Sequence, residues 1–185
     1  MSDTHFSPFE TNLDREVALK TLREATAGAD DGELFLERRR SEAMVFDDGR
    51  LKTASYDASE GFGLRAVCGE VVGYAHSTEI SESALKRATQ TARLAVVDGG
   101  GTWADAPQAT NIKLYTDEDP IAGASFPVKL DTLRAMDDFA RSLDKRVIQV
   151  TASIAASIQE IEILRPEGGS VRDIRPMTRV NVSII

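Results

Sequence analysis

The stretch GFGLRAVCGEVVGYAHS, residues Gly61–Ser77, decides the fold that the sequence predicts. Apolar and mixed positions alternate in its first half, which is the two-residue period of a β-strand with one buried face. The second half is rich in β-branched and aromatic residues, and Gly69 lies between the halves, where a tight turn favours a residue that tolerates positive φ. The sequence therefore predicts a β-hairpin at the centre of the chain. Nothing in the hairpin itself indicates chemistry.

Helices are predicted on both sides of this hairpin. Apolar residues recur at the spacing of one helix face over 13–27, over 82–97 and in the segment after Ser125. Asn12, Ser81 and Ser125 are the expected N-caps, because their short polar side chains bond to free backbone N–H groups at a helix start. Three amphipathic helices are expected to cover the sheet.

Further strands follow from alternating or β-rich segments. The expected strands outside the central hairpin are 33–41, 44–46, 51–56, 146–157, 159–164, 170–174 and 178–185. Asp47-Asp48-Gly49 separates two of them and is a typical hairpin turn. The expected fold class is α+β: an antiparallel, hairpin-rich sheet flanked by amphipathic helices, followed by the start of a second, incomplete β-rich domain.

Four segments follow from these elements. Residues 1–11 are expected to be a flexible leader, and residues 12–145 an N-terminal α/β domain with a flexible connector at Gly99-Gly100-Gly101. Residues 146–185 are expected to begin a β-rich C-terminal domain. Its last strand ends in apolar residues without a turn, and a free strand edge of that kind is usually covered in proteins. The sheet is therefore expected to continue into a part that is absent here.

The composition excludes some classes of partner. The formal net charge is -8 with a pI near 4.9, which disfavours nucleic acid as a partner. The basic run Arg38-Arg39-Arg40 is expected to be a solvated strand edge. The single cysteine allows no intramolecular disulfide and favours a reducing, cytoplasmic compartment. No signal peptide and no membrane-spanning apolar run is recognised.

The usual catalytic constellations are missing from the sequence. Asp47 and Asp48 are expected to serve the turn rather than a metal, and the acidic run Asp117-Glu118-Asp119 is expected to be a solvated loop. His76 is interpreted as a surface or partner-facing histidine, and Cys68 as a small packed side chain at a hairpin turn. No catalytic, cofactor-binding or metal-ligating residue is assigned, since no H-E-x-x-H, Cys/His cluster or G-x-S-x-G is present.

Several stretches, in order along the chain, resemble the N-terminal half of the TldD/PmbA (TldE) family of metallopeptidases, also called modulators of DNA gyrase. They are Glu33–Arg38, Asp47–Lys52, Gly61–Val67 with Gly69-Glu70 and Gly73–Ala75, Arg146–Val150, Asp173–Met177 and Arg179–Ser183. The last two are more similar to the TldD branch than to its partner branch. The resemblance extends from about Leu13 to Ile185.

The resemblance implies a cytosolic, zinc-dependent peptidase that acts on small or unfolded polypeptides and works as a homo- or hetero-oligomer of TldD- and TldE-like chains. In the family, zinc is held by an H-E-x-x-x-H helix and a later cysteine, and these positions have no counterpart in this sequence. No zinc ligand is therefore carried over, and Cys68 does not match the zinc cysteine. No cofactor is expected in this chain, and no membrane or nucleic-acid partner.

Three interpretations stay open at this point. The chain is the front part of a metallopeptidase and inactive alone, or it is a binding or regulatory module that pairs with a full-length TldD- or TldE-like chain. The third interpretation is an unrelated α+β domain with accidental similarity. A truncated gene product would fit the first, and a free-standing N-terminal domain the second.

Overall fold

The computed structural model describes residues 5–94, 96 and 115–185. Nine elements lie in this described part: α1 (Pro8–Thr11), α2 (Arg15–Ala25), β1 (Asp31–Asp47), β2 (Arg50–Cys68), β3 (Val71–Ser77), α3 (Glu82–Arg93), α4 (Phe126–Leu143), β4 (Val150–Leu164) and β5 (Ser170–Ile184). The five strands form one antiparallel sheet in the order β3-β2-β1-β4-β5. The expected α+β fold is confirmed.

The two hairpins predicted from Gly-containing turns are present. In the central hairpin, Cys68 pairs with Val71, and Gly69 has a φ of 57°. In the hairpin between β1 and β2, Asp48 and Gly49 both have positive φ, at 49° and 77°. Positive φ at both central residues is what a type I′ turn requires, and such turns match the twist of the strands that they join.

The strands are longer than the sequence predicts. Segments expected as separate strands over 33–41 and 44–46 are one strand, β1, and segments expected over 51–56 and 61–68 are one strand, β2. β4 and β5, from the region expected to begin a second β-rich domain, lie in the same sheet as β1–β3. Polar residues within a strand predict breaks, but the backbone stays extended through them, and those of β2 at 57–60 are exposed to solvent.

The run Arg38-Arg39-Arg40 is not at a solvated sheet edge, because β1 is the middle strand of the five. The Arg38 guanidinium lies 2.8 Å from a carboxylate oxygen of Glu160, and the Arg40 guanidinium lies 2.9 Å from Asp119. Both arginine side chains are largely buried, at 24% and 17% exposure. The acidic partners are far away in sequence, which is why a local pattern predicts solvent instead.

The chain divides into two compact units, and its long strands run through both. Unit 1 comprises residues 1–38, 59–113 and 160–173, and unit 2 comprises residues 39–58, 114–159 and 174–185. Helix α4 and the first part of β4 belong to the same unit, whereas the sequence-based boundary at 145/146 would separate them. The Gly99–Gly101 connector lies outside the described residues, as do residues 102–114.

Unit 1 has an extended hydrophobic core between its sheet strands and helices α2 and α3. The cluster consists of Phe6, Leu13, Ala18, Leu19, Leu22, Ala25, Leu34, Leu36, Phe62, Leu64, Ile80, Ala84, Leu85, Ala88, Ala92 and Leu164. Helix α2 is capped by Asp14 rather than by the expected Asn12, since the Val17 N–H donates to Asp14 Oδ1 at 2.9 Å. Ser81 caps α3 as predicted, by accepting from the Ala84 N–H.

The described part of the expected leader, residues 5–11, is packed onto unit 1. Pro8–Thr11 form α1, and Phe6 and Pro8 are buried. The Phe6 N–H donates to Glu160 Oε1 at 2.9 Å, and Arg172 donates to the Phe6 carbonyl. The expectation of a loose leader is therefore wrong for residues 5–11. The buried Phe6 side chain and a charged clamp formed by Glu160 and Arg172 hold them in place.

Unit 2 has a smaller core. Met44, Phe46, Leu133 and Ala152 form its buried cluster. Ser125 occupies the N-cap position of α4, but its side chain makes no capping hydrogen bond.

Helix α4 also departs from the simple amphipathic pattern. It buries Lys129 and Asp137, whereas Leu143, which the sequence places in the buried stripe, is 65% exposed. The Lys129 ammonium donates to Glu42 and to the Ile121 carbonyl, both at 2.7 Å. None of the described helices combines the length and the apolar character that crossing a bilayer requires.

Candidate functional site

A groove of about 260 Å³ opens on unit 1, along the part of the sheet formed by β1, β2 and β3. We call it the aromatic groove. Its lining residues are Phe35, Glu37, Ser59, Glu60, Gly61, Phe62, Gly63, Tyr74, His76, Ser77 and Thr78. β3 is an edge strand, so the groove lies beside a free border of the sheet.

Two glycines of β2 shape the groove. A Cβ atom at Gly61 would lie 2.5 Å from the Ser77 carbonyl oxygen, and a Cβ atom at Gly63 would lie 2.8 Å from the Tyr74 hydroxyl. Neither position accepts a side chain without a shift of its neighbours. Glycine inside a strand usually marks a bulge, a bend or a close approach of another backbone. Gly61 lies against the backbone of Ser77, whereas Gly63 lies against the side chain of Tyr74. The Tyr74 side chain takes the place that a residue 63 side chain would occupy.

Aromatic rings form one wall of the groove. Tyr74 and His76 are two residues apart in β3 and therefore lie on the same face of the strand. Their rings stack, with centroids 5.8 Å apart and planes 28° apart. Tyr74 is 58% exposed, and His76 is exposed as predicted for a surface histidine. Rings with free faces beside a groove offer an apolar and weakly negative surface to a ligand.

The charged residues that line the groove are acidic. Glu37 and Glu60 both line it, and none of its described lining residues is lysine or arginine. The exposed carboxylate of Glu60 together with ring faces favours a positively charged group over a negative one. The sequence contains this pattern of two glycines in β2 and two rings in β3, but nothing in the pattern by itself indicates chemistry.

A closed ring of four charges lies on three adjacent chain segments of unit 1. Asp31 bonds to Arg65 and to Arg165, both at 2.7 Å, and Glu33 bonds to the same two guanidinium groups at 3.1 Å. Burial disfavours the charged form of Asp31, but the hydrogen bond from Arg65 and the charge of Arg165 outweigh it and hold the Asp31 pKa below its ordinary value. This charge ring ties β1, β2 and the end of β4 together.

The turn aspartates of unit 2 serve structure. Asp47 Oδ1 accepts from Thr151 at 2.7 Å and from Gln149 at 3.1 Å, and Asp47 Oδ2 pairs with Lys52 at 2.8 Å. The Lys52 hydrogen bond, followed by those from Thr151 and Gln149, holds the Asp47 pKa well below its usual range. Asp48 pairs with Arg141 of α4 at 2.7 Å. The two carboxylates therefore fix the hairpin turn, as the sequence predicts.

Asp119 corrects the expectation of a solvated acidic loop. Its side chain is only 10% exposed, pairs with Arg40, and accepts from the Ile121 N–H at 2.8 Å. The Asp119 carboxylate thus closes a turn and anchors the segment before α4 to β1. Glu118, the neighbour of Asp119, is exposed.

Two buried glutamates of β4 escaped the sequence analysis. Glu160 is held by Arg38 and by the Phe6 N–H, as described above. Glu162 is 8% exposed, and burial raises the pKa of its carboxyl; Arg172, 3.6 Å away, acts in the opposite direction. The two glutamates continue the even-numbered apolar positions Val150, Ala152, Ile154, Ala156 and Ile158, and this continuation was the available signal.

The described residues do not fit a zinc site. Within residues 5–94, 96 and 115–185, no group of three or more His, Cys, Asp or Glu residues is arranged so that it would hold a metal ion. Cys68 is a half-buried free thiol at the end of β2. We therefore derive no metal-dependent step from this chain's own residues, and the absence of an assigned metal or catalytic residue stays a prediction.

Two family models match the chain, in order. The first, described as PmbA/TldA metallopeptidase domain 1, matches residues 32–96, and the second, described as PmbA/TldA metallopeptidase central domain, matches residues 119–185. Together they cover more than half of the chain. This chain belongs to the PmbA/TldD metallopeptidase family. The resemblance inferred from the sequence is thereby confirmed.

Two curated relatives agree with the family models. The Metalloprotease TldD homolog of Buchnera aphidicola subsp. Acyrthosiphon pisum (strain APS) is 31% identical over 173 residues, which is 93% of this chain and 36% of that protein. The Metalloprotease TldD homolog of Haemophilus influenzae is 30% identical over 161 residues, which is 84% of this chain and 33% of that protein. The chain therefore spans about a third of the length of these relatives.

A solved structure shows the same fold. TldE from Thermococcus kodakarensis superposes with a TM-score of 0.69 at 16% identity, over 91% of this chain and 39% of that one. At this identity the likeness concerns the fold alone. The order of strands and helices described above is thus that of a known family member, and accidental similarity, the third interpretation of the sequence, is excluded.

Proposed function

We propose that this chain is the front part of a TldD-like zinc metallopeptidase that cleaves small or unfolded polypeptides, and that it does not hydrolyse peptides alone. The observation that carries the proposal is the ordered match of the first and central metallopeptidase domains over residues 32–96 and 119–185. The names of the two curated relatives, both metalloproteases, support peptide hydrolysis as the activity of the longer proteins.

In this proposal the chain binds and positions polypeptide, and the metal chemistry belongs to a further part of the longer relatives. When bound there, zinc supplies an activated water for attack on the peptide carbonyl. The donor set of the described residues supports this division, because it offers no metal-binding group. The cytoplasm is the proposed compartment, since the one cysteine is a free thiol.

The test compares this chain with the Haemophilus influenzae TldD homolog, produced and assayed side by side. We expect the chain to carry less than a tenth of an equivalent of zinc by elemental analysis and to leave a fluorescent unfolded polypeptide uncut. The longer protein, as the control, establishes that the assay detects family activity. One equivalent of tightly held zinc on this chain would contradict the proposal.

A second candidate is a binding or regulatory module that pairs with a longer TldD- or TldE-like chain. The apolar surface of unit 2 favours it, because Phe126, Val128, Phe139 and Leu143 of α4 are all exposed. Mixing the chain with a longer TldD homolog and measuring mass by sedimentation tests it. A stable complex supports pairing, and unchanged sedimentation of both chains contradicts it.

A further inference from the structure

The aromatic groove presents exposed ring faces. The close approach of Tyr74 to Gly63 accounts for the glycine, and the tyrosine ring remains more than half exposed. A ring that covers a glycine on an edge strand turns one face to the sheet and leaves the other face in water. The outward faces of the stacked Tyr74 and His76 rings are therefore available to a ligand.

The charges around the groove define the ligand class. Glu37 and Glu60 line it, Glu37 has a partner within the protein, and none of the described lining residues is lysine or arginine. A cation that enters would meet the exposed rings of Tyr74 and His76 and the exposed carboxylate of Glu60, which favour positive over negative charge. Planar guanidinium suits both kinds of partner, because it stacks on aromatic faces and bonds to carboxylates in a fork.

We propose that the aromatic groove binds the basic side chain, arginine above all and lysine next, of an extended peptide. The choice of a peptide as the carrier of the positive charge rests on the proposed function, whereas the preference for a cation rests on the groove alone. A volume of about 260 Å³ accommodates one long side chain rather than a folded domain. The hydroxyl groups of Ser59, Ser77 and Thr78 along the rim supply further acceptors for the donors of such a side chain.

The experiment measures binding without catalysis. A nine-residue Gly/Ser peptide with one central arginine and a terminal fluorophore is titrated with the intact chain, and anisotropy is recorded. The matched peptide carries citrulline, which has the shape of arginine without its charge. We expect the arginine peptide to bind roughly 2- to 5-fold more tightly than the citrulline peptide, which is the effect of one exposed cation–π and carboxylate contact.

Variants locate the site. Glu60→Gln and Tyr74→Leu are each expected to lower affinity for the arginine peptide by about 2-fold or more, and both residues are exposed, so the fold tolerates the change. Glu118→Gln removes one exposed carboxylate from unit 2 and is expected to leave affinity unchanged. Amide NMR shifts of Gly61 and Gly63 on titration would give the same location independently.

Three outcomes overturn the inference. The first is equal affinity for the arginine and citrulline peptides. The second is full affinity of the Tyr74→Leu variant for the arginine peptide. The third is competition by free arginine at the same concentration as the peptide, because the ligand would then be a small cation and not a peptide. Zinc content and hydrolysis do not enter this assay. Failure of the proposed function and failure of the groove assignment therefore give different results.

Discussion

The two units of the molecule differ in the size of their hydrophobic cores. Among the described residues, the buried cluster of unit 1 holds sixteen hydrophobic side chains, and that of unit 2 holds four. Unit 1 builds its core from α2, α3 and alternating strand residues. Unit 2 relies on Leu133 and three strand residues, supplemented by buried ion pairs such as Lys129 with Glu42.

The exposed apolar side chains show the same contrast from outside. Within the described ranges, seventeen large hydrophobic residues are exposed, and twelve of them belong to unit 2. A unit that leaves such side chains in water and has a small core is expected to open locally at lower free energy than its neighbour. The difference indicates that unit 1 has the larger hydrophobic core, whereas unit 2 leaves more apolar surface exposed.

The largest expected effect comes from removing one core leucine in each unit. Leu34→Ala in unit 1 and Leu133→Ala in unit 2 each create a cavity at a fully buried position and should cost about 2–5 kcal/mol of local or global stability. Hydrogen exchange distinguishes the units: we expect Leu133→Ala to accelerate exchange in β1 and β2 near their turn while the amides of α2 keep their protection. Leu94→Ala, at an exposed position, is the control and should change stability by less than about 0.5 kcal/mol.

Uniform acceleration of exchange across both units in Leu133→Ala would contradict this prediction. It would mean that the molecule unfolds as one cooperative body and that the smaller core is not a weaker one.

The next effect concerns the charged clamp on the N-terminal segment of unit 1. Glu160→Gln leaves the Arg38 guanidinium without its carboxylate and weakens the bond from the Phe6 N–H, so we expect a loss of about 3 kcal/mol in urea unfolding. Limited proteolysis should cut before α2 sooner in this variant. Glu70→Gln is the matched control, because Glu70 is exposed in the turn between β2 and β3 and its substitution should change stability by less than about 0.5 kcal/mol. Equal stability of both variants would show that the clamp is dispensable.

Local sequence signals predicted the turns and most of the helix positions. The turns at Asp48-Gly49 and at Gly69 adopt positive φ. Tolerance of positive φ is a property of glycine, and to a lesser degree of aspartate, whatever the rest of the fold. The start of α3 at Ser81 follows likewise from a side chain that bonds its own helix. These features depend on neighbours in the chain, so a sequence pattern is sufficient for them.

The misinterpreted features depend on distant partners. Arg38 and Arg40 look like solvent-exposed charges until Glu160 and Asp119 are brought beside them. The packing of Phe6 depends on Arg172, which lies near the other end of the chain. The groove was missed for a related reason. Phe35, Tyr74 and His76 line one groove only after β1, β2 and β3 have assembled into a sheet.

A smaller effect is expected from the charge ring of unit 1 at acid pH. Because the folded-state pKa of Asp31 lies below its unfolded value, its contribution is fully present above about pH 4 and is lost as the pH falls through the folded pKa. Arg65 stays charged throughout and adds no slope. Melting temperatures between pH 2 and 7 should therefore fall less steeply for Asp31→Asn than for the unaltered chain. Asp57→Asn, at an exposed position, serves as the control and should follow the unaltered chain; parallel curves for Asp31→Asn would exclude a stabilising role of the ring.

The smallest effect on stability is expected where unit 2 exposes its apolar surface. Phe139 is 66% exposed on α4, so Phe139→Ser removes little buried area and should change the free energy of unfolding by less than about 0.5 kcal/mol. The same variant should bind less of a hydrophobic dye and associate less at high concentration, because the apolar patch shrinks. Phe46→Ser, on the buried side of the same unit, is the counterpart and should destabilise strongly. If Phe139→Ser instead lowered stability as Phe46→Ser does, the α4 surface would be part of the hydrophobic core. The contrast between the large core of unit 1 and the exposed apolar surface of unit 2 would then fail.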